Sequence, residues 1–396
     1  MRPELVIVHP SAARATLICS PPTAVPRTNT VKLSWAAALA ATPDVAATIN
    51  AMWRARLEWH EGMLTAYTAA REGAAFLDRS SAGRILITGA DRAGYLQGLL
   101  TNDIAALKAG DGCYAAYLTA QGRMITDMHV YELGERILMT LPPGMKDAVL
   151  ARLDHLIFAE DVRLDDATSR WAQIAIVGPA SADVIAQLLS EVTAQQLASL
   201  REHGTARVTW SRTPAVAART GDVGSDGFDV FVASETRGSL IDALRANDIA
   251  ELTASEGEVL RIEAGIPRFH QDMDEQTIPL EAGLASRAIS FTKGCYVGQE
   301  VIVRVLHRGH GRVARKLVGL RVEGPDVPQP GADVQAADSA GAPAADKTVG
   351  HVTSAAFSPR LNQPIALAYV RREFVDPGAR VIVERAPATV TTLPFV

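Results

Sequence analysis

The apolar residues of this chain come in short runs, and turns containing glycine cut each run before it could form a membrane span or a long helix. Ile85-Leu86-Ile87-Thr88 ends at Gly89, Gly110-Asp111-Gly112 leads into residues 114–118, and Gln121-Gly122-Arg123 separates that run from residues 124–133. Such runs read as strands, and a short glycine turn between two of them reads as a hairpin. Helical stretches fall in between. Residues 93–100 follow the candidate N-cap Asp91 and break at Asn102-Asp103. Residues 146–158 carry Ala148, Leu150, Leu153 and Leu156 as an apolar face, and residues 181–200 turn Ile185, Leu188 and Leu189 inward. Residues 171–177 and 208–211 add strands. Short strands with interspersed helices describe an α+β fold.

A length of 396 residues provides for two or three domains. A net charge of −5 gives no overall attraction to nucleic acid, so direct nucleic-acid binding is not expected. Cys19, Cys113 and Cys295 lie far apart, without a CxxC or metal-ligand spacing. That argues against a disulfide framework and against a protein-held metal, and it fits a reducing cytoplasmic setting. No run reaches the ~18 apolar residues of a membrane span. Residues 1–50 have weak patterning, with Pro21, Pro22 and Pro26 among many Ala and Thr. They are expected to be a disordered extension, or to precede a true start at Met52. Residues 53–70 then read as a helix, because Trp53, Leu57, His60, Leu64 and Tyr67 recur at spacings of three and four.

The most informative stretch is Lys293-Gly294-Cys295-Tyr296-Val297-Gly298-Gln299-Glu300. A cysteine acts as nucleophile or ligand only as thiolate, and a lysine two residues away would favour that form if the turn brought it to the sulfur. Gly294 and Gly298 permit close backbone approach. Residues 301–306 read as a strand. His307-Arg308-Gly309-His310-Gly311-Arg312 with Arg315-Lys316 then form a basic cluster, able to hold an anionic tail or an acidic partner. Its two histidines lack a third ligand, so no metal is expected.

Three further segments carry carboxylates. Asp127 ends Gly122-Arg123-Met124-Ile125-Thr126-Asp127, on a strand where it could orient an amine or take its proton. Asp229 follows the glycine-rich Arg219-Thr220-Gly221-Asp222-Val223-Gly224-Ser225-Asp226-Gly227-Phe228. A carboxylate there could accept a bidentate pair of N–H groups. Arg261-Ile262-Glu263-Ala264-Gly265-Ile266-Pro267 runs from helix to turn, ahead of the acidic loop Asp272-Met273-Asp274-Glu275. Arg261 either reaches an acidic ligand group or locks a nearby carboxylate, and the structural role is favoured. Beyond residue 312, strands at 317–322, 349–354, 365–370 and 379–384 surround an irregular Pro/Gly/Ala-rich stretch at 324–347, which suggests a small antiparallel barrel.

The octapeptide matches K-G-C-Y-x-G-Q-E at every fixed position, and so resembles the signature of the YgfZ family of folate-binding proteins. These are relatives of the glycine-cleavage T-protein, an aminomethyltransferase, and they serve iron–sulfur proteins. The Asp127 segment is similar to the T-protein stretch that faces the reactive nitrogens of folate, although Thr126 stands where a second acid is usual. The Asp229 segment resembles R-T-G-Y-T-G-E-D-G-F-E, with Asp for the last Glu and Ser225 for another. Thr277-Ile278-Pro279-Leu280-Glu281-Ala282-Gly283-Leu284 and Gly350-His351-Val352-Thr353-Ser354 are also similar to family stretches. The resemblance implies a T-protein-like folate-binding region over residues 51–312 and a C-terminal β-barrel over 313–396. It implies tetrahydrofolate or a one-carbon derivative as cofactor, and iron–sulfur proteins or their assembly factors as partners. Asp229, Arg261, Asp127 and Tyr296 would contact the folate, while Cys295, Lys293 and Asp127 would act on it or on a partner. The main expectation is an accessory protein in assembly or repair of iron–sulfur proteins. The alternative is a tetrahydrofolate-dependent aminomethyltransferase.

Overall fold

The computed structural model describes residues 65–307, 311–337 and 343–396, with side chains of the last segment from 348 onward, and the backbone of strands β1 (Val6–Val8) and β2 (Thr16–Ile18). β1 and β2 pair antiparallel within a unit spanning Met1–Leu64. The expected N-terminal extension, the start at Met52 and the helix before residue 65 otherwise lie outside the described residues. So do Arg308, Gly309 and His310 of the basic cluster.

Thr65–Val396 is the second compact unit, and it opens with a helix at residues 65–72. Strands β3 (Ala75–Asp78), β4 (Gly83–Thr88), β5 (Gly112–Leu118), β6 (Met124–Glu132), β7 (Ile137–Leu141), β8 (Arg163–Asp166) and β9 (Trp171–Val177) follow. Next come β10 (Thr205–Trp210), β11 (Thr213–Thr220), β12 (Gly227–Ala233) and the short β13 (Ala250–Glu251). They build two sheets, one in the order β5-β6-β7-β4-β8 and the other β10-β11-β12-β9-β3-β13. Every pairing is antiparallel except β13 with β3. Tyr131, Leu86 and Leu138 of the first sheet pack with Val216, Ala218 and Phe231 of the second, so the sheets meet face to face.

β6 lies between β5 and β7 in the first sheet, and all nine of its residues are buried. Alternation along a strand sends Met128 and Val130 into the core of the first sheet, while Asp127, His129 and Tyr131 share the opposite face. Burying polar residues in a row is costly unless they are paired, so this face marks where a site can be built.

The barrel closes as β14-β17-β16-β15-β18-β19, with β14 (Arg315–Val322), β15 (Asp333–Ala337), β16 (Pro343–Ser358), β17 (Gln363–Arg371), β18 (Arg380–Val383) and β19 (Ala386–Thr391). Its docking face joins Leu317, Ile365, Leu367, Tyr369 and Phe395 to Tyr67 of the first helix and Leu260 of the helix Ala254–Glu263. A buried polar lock reinforces the contact. Glu263 accepts from Tyr67 Oη at 2.9 and 2.7 Å and from Ser358 Oγ at 2.5 Å, and pairs with Arg71.

Several elements differ from expectation. Residues 301–306 are not a strand but part of the helix Gln299–His307. Ile302 is buried and Val305 and Leu306 pack against the core, which is helical spacing, and Glu300 pairs with Arg304 one turn on. The single helix expected over 181–200 is two, Ser181–Leu188 and Ala194–Ala198. The chain between them bridges to β10 through Ser190 and Thr209. The helix Lys146–Asp154 buries Val149 and Leu153, whereas Ala148 faces outward. Asp91 precedes the helix Arg92–Leu99, but its carboxylate accepts from the Asp161 amide at 2.8 Å instead of capping that helix. The stretch 324–347 contains β15 and is not wholly irregular.

Candidate functional site

A cavity of about 330 Å³ opens where β6, the β3–β4 turn, the β11–β12 loop and the segment after Glu263 converge. Asp127 lines it. The side chain is buried, and Tyr114 Oη donates to its Oδ2 at 2.6 Å. Its Oδ1 has no hydrogen-bond partner among the described residues. Burial pushes this carboxyl above the usual range, with the Tyr114 bond only partly opposing it. Arg287 sits 5.4 Å from the centre of the Tyr114 ring, within cation–π range.

Asp222, on the β11–β12 loop, forms a charged hub in the same wall. Its carboxylate lies 3.1 Å from His129 Nε2, 3.6 Å from Arg287 Nη2 and 3.7 Å from Arg79 Nη2. Burial alone would raise its pKa, but these basic groups overcome that and hold the carboxyl far below the usual range. Asp222 therefore remains ionised while the neighbouring Asp127 is drawn towards its neutral form.

Asp229 is placed differently from Asp127. It is buried on β12 and is not among the residues lining the cavity. Arg79, which lines the cavity, donates from Nη1 to its Oδ2 at 2.8 Å, while its Oδ1 is buried without a hydrogen-bond partner among the described residues. Burial raises its pKa despite the guanidinium. Arg261 lines the cavity but is bound on every side. It donates to Asp272 at 2.7 Å and Ser354 Oγ at 2.8 Å, and also pairs with Glu258 and the Ile266 carbonyl. The Asp272 of the supposed acidic loop is thus a buried partner, holding the helix Ala254–Glu263 to the barrel.

The octapeptide is docked on the first sheet, away from the lining of this cavity. Lys293 does not serve the Cys295 thiol. Its ammonium donates to the carbonyls of Gln97, Leu100 and Asn102 at 2.6, 2.7 and 2.9 Å, satisfying the C-terminal end of the helix Arg92–Leu99. Burial pushes its pKa down to about 8. Tyr296 is buried under that ammonium, 5.2 Å from it, and burial pushes its phenol up to about 12. Cys295 is exposed, and Phe291 and Val297 near it in sequence are also exposed. Gly298 has φ +86° and lies so close to the β5–β6 turn that a Cβ would stand 2.5 Å from the Thr119 carbonyl oxygen. Here glycine is needed for close approach.

Arg79, Tyr114, His129, Asp222 and Arg287 belong to the site but are absent from the sequence-derived set. Two signals were available: the period-two placement of His129 with Asp127, and Asp222 at the tyrosine position of R-T-G-Y-T-G. No group of three or more His, Cys, Asp or Glu arranged to hold a metal occurs among the described residues. No helix of the described residues is long and apolar enough to cross a membrane.

Two face-packed antiparallel sheets with a polar cavity at their junction, followed by a docked six-stranded barrel, define the class: an α+β T-protein-like domain with a C-terminal antiparallel barrel. Residues 34–293 match the GCVT N-terminal domain family, and residues 315–396 match the glycine cleavage T-protein C-terminal barrel domain, so the chain belongs to the glycine-cleavage T-protein family. It is similar to an aminomethyltransferase of Rubrobacter xylanophilus, 31% identical over 85% of this chain and 87% of that protein. An aminomethyltransferase of Streptomyces coelicolor is 32% identical over 83% of this chain and 88% of its own length. In fold it resembles the glycine cleavage system aminomethyltransferase T of Bartonella henselae, with a TM-score of 0.74 at 23% identity, covering 84% of this chain and 89% of that one.

Proposed function

We propose that the cavity binds a reduced folate, with Asp127 as the carboxylate that meets the ligand. The observation that carries this reading is Asp127 Oδ1, buried in the cavity wall with no hydrogen-bond partner among the described residues. A buried acceptor left unmade is costly, and a flat heterocycle bearing N–H groups supplies the missing donor. The size is consistent, since small-molecule sites begin near ~300 Å³. Asp229 contributes by fixing Arg79, and Arg261 by holding the cavity wall to the barrel.

Tetrahydrofolate titrated into the protein, followed by calorimetry, tests the proposal. Asp127→Asn should weaken binding by about 10- to 150-fold, the equivalent of the ~1.5–3 kcal/mol of a hydrogen bond to a charged group. Unchanged affinity would remove Asp127 from the ligand site.

The named relatives favour tetrahydrofolate-dependent aminomethyl transfer as the use of the bound folate. A second reading, an accessory role towards iron–sulfur proteins, is favoured by the exposed Cys295 within the octapeptide, beside exposed Phe291 and Val297. A thiol and apolar side chains at the surface suit a protein partner better than a small ligand in the cavity. Aminomethyl transfer from a lipoyl-protein donor, measured with wild type and Cys295→Ser, separates the two. Equal transfer by both supports the enzyme. No transfer, combined with loss of iron–sulfur enzyme activity in cells carrying only Cys295→Ser, supports the accessory role.

A further inference from the structure

A second cavity, of about 1110 Å³, opens between the β6–β7 turn of the first sheet and the β10–β11 hairpin of the second. It shares no lining residue with the cavity around Asp127. Leu133, Trp171 and Val216 form the apolar part of its lining, and the Trp171 ring packs 6.4 Å from Phe231 of the inter-sheet core. Arg136, Arg207 and Arg212 line it too, and all three are exposed. None of them has a carboxylate partner among the described residues. Arg207 Nη2 instead donates to the Leu133 carbonyl at 3.1 Å. Glu135 and Glu191 also belong to the lining, so its excess charge is positive, although the whole chain carries −5.

The backbone adds two observations. β10 is the edge strand of its sheet, and alternation turns the N–H and C=O groups of Thr205, Arg207 and Thr209 to the open side. The Thr205 N–H donates to the Gly110 carbonyl at 2.7 Å, and Thr209 exchanges bonds of 3.1 Å with Ser190. Between them, the main-chain groups of Arg207 have no partner among the described residues. The hairpin itself turns through Ser211 and Arg212, with φ +49° and +66°, between the paired Trp210 and Thr213. A two-residue turn with both φ positive favours Asn-Gly. Glu191, in the same lining, has φ +72°. Charged side chains thus stand where glycine would be the more stable choice, and such outliers gather at binding sites.

We propose that this groove docks an extended acidic segment of a partner protein. Carboxylates of the segment meet the three guanidinium groups, whose forks suit them. An apolar side chain of the segment lies on Trp171, and its main chain pairs with the free N–H and C=O of Arg207. Tryptophan and arginine are the side chains that anchor protein interfaces, and main-chain pairing at a strand edge is a contact that a peptide makes and a small anion does not. The inference is independent of the folate reading.

Fluorescence anisotropy of a short labelled peptide of glutamates around one leucine tests the proposal, against the same peptide with glutamine for glutamate. Wild type should bind the glutamate peptide about ten-fold tighter or more, and added salt should weaken that binding. Arg136→Gln with Arg207→Gln should weaken it by about ten-fold, while Arg321→Gln with Arg360→Gln, at exposed positions on the barrel, should leave it within about two-fold. Arg212→Gly should raise the urea midpoint, because glycine accepts the turn conformation, and still weaken peptide binding. Tetrahydrofolate should neither compete with the peptide nor lose affinity in these variants. Equal binding of the two peptides, an equal loss in the barrel variant, an Arg212→Gly protein that binds as wild type, or competition by tetrahydrofolate overturns the inference.

Discussion

Replacing Arg261 by Met tests whether that residue is a structural lock or a ligand contact. The guanidinium is buried at 2% exposure and is the cation facing Asp272, whose side chain has no exposure at all. Met retains much of the stem's packing, but among the described residues Asp272 would keep only the hydroxyls of Thr353 and Ser354 and the Arg268 amide. Removing one partner of a buried ion pair leaves an uncompensated charge and costs about 3–5 kcal/mol. The unfolding entropy of globular proteins is about 2.1 cal/mol/K per residue, or roughly 0.7 kcal/mol/K for a unit the length of Thr65–Val396. The melting temperature should therefore fall by about 4–7 °C in calorimetry. Adding Asp272→Asn to Arg261→Met should recover part of the loss, since it removes the stranded charge. A drop below about 1 °C, together with a large loss of folate affinity, would refute the argument and make Arg261 a ligand residue.

Other perturbations have equally definite outcomes. Burial raises the Asp127 pKa, so its ionisation costs folded-state stability. That cost is absent below the unfolded value near ~3.9 and grows as pH rises through the folded value. Asp127→Asn should accordingly melt above wild type at pH 7 in calorimetry, with the advantage vanishing in acid, even as ligand binding weakens. Gly298→Ala combines φ +86° with a Cβ 2.5 Å from the Thr119 carbonyl oxygen, and should lose about 1–3 kcal/mol in urea unfolding. Under native conditions at pH 7, peptide mapping after maleimide treatment should find Cys295 labelled and Cys113 untouched. Cys113 is buried, and burial pushes its thiol up to about 12.

Much of the architecture was already legible in local sequence. Glycine turns marked the β5–β6 hairpin and the β11–β12 loop, period-two runs marked the strands, and Gly265 ended the helix Ala254–Glu263, because these features depend on φ preferences and side-chain alternation within a few residues. Asp127 was singled out by its resemblance to a T-protein stretch rather than by local pattern, and the structure places it in the cavity wall. Local information misjudged residues 301–306, where an apolar run of β-branched residues fits a strand or a buried helix equally well until Ile302, Val305 and Leu306 find a core to pack against. It also paired Lys293 with Cys295, because proximity in sequence does not say where an ammonium group is satisfied. The open carbonyls at the end of the helix Arg92–Leu99 claimed all three donors. Asp222 meeting His129, Asp229 withdrawn behind Arg79, and Asp272 buried under Arg261 all depend on which surfaces the two sheets and the barrel bring together. Sequence alone determined the elements and the residue types available for chemistry. Tertiary structure decided their protonation and partners, because desolvation and charge pairing arise only when distant segments share one buried space.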